Sequence, residues 1–126
     1  MDLQVSLYGS MVSEASFHNV YLTSTINELS NILGEPQCYE NTGKDKVNVQ
    51  WNCITDDGIK FTIYDWKEYR VLDLDESVEF HIGGKSSLDT NVALSKLLQM
   101  IKDEIQIDPR LNIAFEELKD IYTNED

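Results

Sequence analysis

Long apolar runs are missing from this sequence: none approaches the roughly 20 residues that cross a bilayer, so a membrane-spanning helix is excluded. Cysteine is scarce. Cys38 and Cys53 are too few for a disulfide scaffold and form no C-x-x-C pair, so free thiols are expected. A zinc site would need both of them together with His18 and His81, gathered from four scattered segments. The first residues lack a basic region followed by an apolar stretch, so no signal peptide is expected and the chain should stay in the cytoplasm. Positive charge is also scarce. Ten bases face 23 acids, a net charge of −13 and a pI near 4.3. Direct nucleic-acid binding and adhesion to an anionic membrane both work against that field.

The composition itself is ordinary for a globular domain: 41% hydrophobic and 26% charged over 126 residues, one domain spanning 1–126. The acid excess runs throughout and is not a tail: residues 1–63 carry 8 acids and 3 bases, and residues 64–126 carry 15 and 7. A basic protein is the partner such a surface fits; plain solubility is the competing reading.

Periodicity gives the elements. Leu3, Val5 and Leu7 alternate with polar residues as a strand ending at Gly9, and Phe17, Val20 and Leu22 form a weaker apolar set. Thr25 followed by Glu28 has the spacing of a capping box, opening a helix on Ile26, Leu29, Ile32 and Leu33 that Gly34 and Pro36 stop. Residues 47–53 and 59–64 alternate on either side of Asp56-Asp57-Gly58, a hairpin with one apolar face and one polar face of Asn, Gln, Lys, Thr and Tyr. Residues 65–77 have no readable form. Val78, Phe80 and Ile82 make a further strand ending at Gly83-Gly84. Asp89 or Thr90 is expected to cap a helix on Leu94, Leu97, Leu98, Ile101 and Ile105. Asp108-Pro109 opens a last one on Leu111, Ala114, Phe115, Leu118 and Ile121 or Tyr122. The expected fold is α+β: a small antiparallel sheet of three to five strands covered by three helices.

Four constellations invite a chemical reading. Gly83-Gly84-Lys85-Ser86 is like the end of a phosphate-binding loop, but the glycine needed five residues before Gly84 is Glu79, so a turn is the expectation. Asp73, Asp75 and Glu76 have cation-ligand spacing, yet an EF-hand loop would want glycine at Val78 and glutamate at Gly84. His81 with Asp65 and Tyr64 would be a general-base arrangement lacking any nucleophile motif. Tyr64, Trp66, Tyr69 and Arg70 are of the types that dominate binding hot spots, and they equally suit a lid over the core.

The succession Asp57-Gly58, Phe61-Thr62-Ile63-Tyr64-Asp65-Trp66-Lys67 and Phe80-His81-Ile82-Gly83-Gly84 resembles small proteins of tailed bacteriophages, over about residues 55–86. Size and acidic, Asn-rich composition are similar to phage inhibitors of host defence, the anti-CRISPR and anti-restriction proteins. That resemblance implies a non-enzymatic inhibitor that occupies a basic, nucleic-acid-handling effector, some members imitating the charge of DNA, with no cofactor. Expected contacts are Tyr64, Trp66 and Tyr69 for energy, and Asp73, Asp75, Glu76, Glu79, Glu116, Glu117 and Asp120 for charge. Two alternatives stand beside it: a small-ligand binder or enzyme with a pocket near His81 and Gly83-Gly84, and a self-associating accessory protein forming a homodimer.

Overall fold

A computed structural model describes residues 4–12 and 15–107. The elements are β1 (Val5–Leu7), β2 (Ser16–Ser24), α1 (Ile26–Leu33), β3 (Cys38–Tyr39), β4 (Val49–Thr55), β5 (Lys60–Tyr64), β6 (Val78–Gly84) and α2 (Ser87–Ile107). The class is α+β. Six strands, all paired antiparallel, form one sheet in the order β1-β4-β5-β6-β2, with β3 also on β4. That exceeds the three to five expected, because β3 is two residues long and too short to show a period. Two helices lie among the described residues; the one expected after Asp108-Pro109 lies outside them. No helix among the described residues is long and apolar enough to cross a membrane.

The β4–β5 hairpin forms where the Asp-Gly turn places it. Gly58 adopts φ +90, a conformation that costs a residue without Cβ little, and Thr55 N–H donates to Ile59 O at 2.8 Å. Trp51 faces Ile63 and Cys53 faces Phe61 across the ladder, and all four are fully buried. Lys96 of α2 reaches back to the carboxylates of Asp56 and Asp57, tying the helix to the turn.

The helices cover one face. On α1, Thr25 Oγ1 accepts from Glu28 N–H at 2.9 Å, while the Glu28 carboxylate takes the Ser24 hydroxyl. On α2 the cap is earlier than expected: Ser86 Oγ accepts from Asp89 N–H at 3.1 Å, so Asp89 and Thr90 already lie inside the first turn. The buried stripe of α2 is Thr90, Ala93, Leu97 and Met100, and Leu98 is half exposed. Counting only large apolar side chains misplaces that face, because two of its members are small.

Beneath the helices, Val20, Leu22, Val49, Trp51, Phe61, Ile63, Phe80 and Ile82 make the core with Ile26, Leu29 and Leu97. Each large side chain so buried contributes about 1.5–3 kcal/mol. Trp51 also donates its indole N–H to Gly34 O at 3.0 Å, so the buried ring leaves no polar atom unpaired.

At the sheet one expectation holds and two details differ. Gly83 and Gly84 are the last residues of β6, as expected, and both are buried there, where Gly83 pairs with Phe17 and Thr62. A methyl on Gly83 would sit 2.5 Å from Thr62 Oγ1, and one on Gly84 2.8 Å from Thr90 Cγ2. These glycines permit close packing. The polar hairpin face is not open along its length: Asn52 and Thr62 are buried, and Gln37 bridges to Asn52 through both backbone N–H and C=O. Finally, Phe17 does not join Val20 and Leu22 in the core.

Candidate functional site

Alternation along a strand sends neighbouring side chains to opposite faces. Leu22, Phe80, Ile82 and Ile63 point under the helices, so Tyr21, His81 and Tyr64 must point away from them. The register places these three side by side on β2, β6 and β5, with Tyr21 opposite His81 and His81 opposite Tyr64.

A bulge in β2 adds a fourth ring. Phe17 pairs with Gly83 and Tyr21 with His81, so a four-residue step on β2 matches a two-residue step on β6. Four regular strand residues would span about 13 Å. Asn19, at φ +61, takes up the excess and brings Phe17 and Tyr21 together around His81. Phe17 stacks on the His81 ring at 4.1 Å, and Tyr21 meets both rings edge-on at 5.1 Å. Gly83, opposite Phe17, lets the Thr62 and Tyr64 side chains pack where a Cβ would sit.

Trp66 completes the group from the 65–77 segment, 6.1 Å from Tyr64 and 6.4 Å from His81. This segment is held by buried polar bonds. The Asp65 carboxylate, fully buried, accepts from Asn48 N–H at 2.7 Å, Asn48 Nδ2 at 2.9 Å and Val49 N–H at 2.9 Å. Asn41 exchanges two 2.7 Å bonds with the backbone of Leu72, and Gly43 (φ +77) packs directly on the Arg70 backbone. Lys67 and Tyr69 are left at φ +54 and +51. Such left-handed backbone costs on the order of 1–3 kcal/mol per bulky residue and persists only where the surroundings impose it. With Asn19, these are all the positive-φ non-glycine residues among the described ones, and Asn19 and Lys67 directly adjoin the aromatic group.

The rings remain accessible. Tyr21 is 42% and Trp66 40% exposed. Lys46 and Lys67 approach the Trp66 ring at 6.0 and 5.5 Å, within cation–π range. Burial among the rings pushes the His81 pKa below its ordinary value, against the pull of Glu79, Asp65 and Glu68. Desolvation likewise raises Tyr64.

The residues singled out from sequence therefore separate. Tyr64 and Trp66 come together with His81. Tyr69, 53% exposed, makes no ring contact with them. Asp65 spends its oxygens on Asn48 and Val49 and does not orient His81, so the imagined Asp65–His81–Tyr64 base does not assemble. The acidic run is partly consumed within the fold. Glu76 binds Arg70 in two-point fashion at 2.7 and 2.9 Å and accepts from Asp73 N–H, which lowers its pKa, and Asp75 accepts from Asn27 Nδ2 of α1. Glu79 is exposed on the aromatic face. Glu116, Glu117 and Asp120 lie outside the described residues.

Cys38 is an exposed free thiol, and burial pushes the free Cys53 thiol up to about 12. His18 Nε2 bonds Gly84 O at 3.0 Å. Among the described residues no three His, Cys, Asp or Glu side chains converge as metal ligands. Sequence reasoning missed Phe17, Tyr21 and Lys46. For Tyr21 the signal was present, since it alternates with Val20 and Leu22. No family model, curated protein or solved structure matches the chain.

Proposed function

We propose that this chain is a non-enzymatic interaction protein that docks on a basic, nucleic-acid-handling protein through the aromatic face of its sheet, as phage inhibitors of host defence do. The observation that supports this reading is the group of half-buried Phe17, Tyr64 and His81 with exposed Tyr21 and Trp66, assembled on strained backbone on the side of the sheet away from the helices. Strain of that kind adds nothing to folding and is commonly retained for a surface that must be displayed. Aromatic rings supply contact area at low entropic cost, and the net charge of −13 steers a cationic partner toward them.

The test is a Trp66→Ala variant, assayed against a cationic effector captured from nuclease-treated bacterial lysate. Truncation should weaken binding by about 2 kcal/mol or more while the melting temperature barely moves. If Trp66 instead closes the core, the variant loses about 3–5 kcal/mol of stability, and the docking reading fails.

A further inference from the structure

Glu79 lies two residues from His81 on the same face of β6, opposite Thr23 of β2, and is therefore diagonal to Tyr21. Diagonal neighbours across an antiparallel pair are about 7–8 Å apart, within reach of one long side chain. Among the described residues Glu79 has neither an ion pair nor a side-chain hydrogen bond, although Arg70 and Lys96 are each paired elsewhere. An open tyrosine and an unpaired carboxylate thus share one corner of the aromatic face. The neighbouring Trp66 ring already draws two of the chain's own lysines.

Resting on the docking reading above, we propose that the corner formed by Tyr21, His81 and Glu79 takes an arginine side chain of the partner. The guanidinium stacks on the Tyr21 ring and donates its N–H groups to the Glu79 carboxylate. Arginine fits better than lysine because its plane can stack and its fork can bind both carboxylate oxygens, where an ammonium is a strongly hydrated point charge. A single-stranded nucleic acid would also find rings to stack on, but its phosphates would meet Glu79 and a net charge of −13.

The experiment titrates the full chain with an arginine-rich peptide, a lysine-rich peptide of equal length and charge, and oligothymidylate. It follows the Tyr21 and His81 ring resonances by NMR. The arginine peptide should bind about two- to fivefold more tightly than the lysine peptide, the range expected at an exposed ring, and should shift both resonances. Glu79→Gln and Tyr21→Ala should each erase that preference with the rest of the spectrum unchanged. Equal affinity for the two peptides, or ring shifts produced only by oligothymidylate, overturns the proposal. If arginine preference is absent while Trp66→Ala still abolishes partner binding, the arginine assignment alone falls; if neither effect is seen, the docking reading falls too.

Discussion

His81 carries Phe17 stacked on its ring and Tyr21, Tyr64 and Trp66 around it, an environment that favours the neutral imidazole. Burial therefore lowers its pKa from the ordinary 6.5 in the folded state. In the unfolded chain it takes a proton near that ordinary value. As pH falls through about 6.5 the unfolded state binds the proton first, so stability declines, and the decline ends below the folded-state pKa. His81→Phe removes this contribution. Denaturant midpoints measured from pH 7.5 to pH 5 should fall more steeply for the parent than for the variant. Parallel curves, or an NMR titration placing His81 at or above 6.5, would contradict the packing described. Alternation alone showed that His81 faces outward. The sequence groups Tyr64 with it, but Phe17 and Tyr21 were not legible as its neighbours, because they come from a strand whose place in the sheet no local pattern encodes.

At the scale of elements, the hairpin and α1 were legible because local chemistry decides them. Gly58 sets the turn, Thr25 caps the helix and Gly34 ends it at φ +105. What failed was whatever depends on a neighbour in space. Gly83 and Gly84 end β6 as expected, but their composition does not show that they also let Thr62, Tyr64 and α2 pack against it. The lock of loop 40–48 against 65–73 depends on Asp65 and Asn41, whose partners are 16 to 31 residues distant in sequence. The glycine role can be tested. Gly84→Ala places a methyl 2.8 Å from Thr90 Cγ2 and should destabilise the fold by about 1–3 kcal/mol through overpacking. Thr90→Ser removes that methyl and keeps the hydroxyl bonded to Ser87 O, so the double variant should recover part of the loss. Additive losses in a thermal or denaturant double-mutant cycle would show that the two residues do not press on each other.

For the whole molecule the deciding quantity is charge. Ten cations serve 126 residues, and Arg70 and Lys96 are committed internally, Arg70 to Glu76 and Glu68, Lys96 to Asp56 and Asp57. The remaining field is strongly negative, and two copies carrying −13 each would repel, which weighs against homodimer formation. Asp73, Asp75 and Glu76 contribute to that field while also shaping their own turn, so reversing Glu76 would disrupt the Arg70 pair and confuse structure with attraction. Salt is the cleaner probe. Exposed charges act over about 30 Å at 0.01 M ionic strength and about 8 Å at 0.15 M. Association with the captured basic partner should slow markedly across that range, while dissociation, governed by the aromatic contact, should change little. Stopped-flow or surface-binding kinetics at several salt concentrations separate the two rates. An association rate indifferent to salt would confine the acidic surface to keeping the protein in solution, and the aromatic face would then have to find its partner without steering.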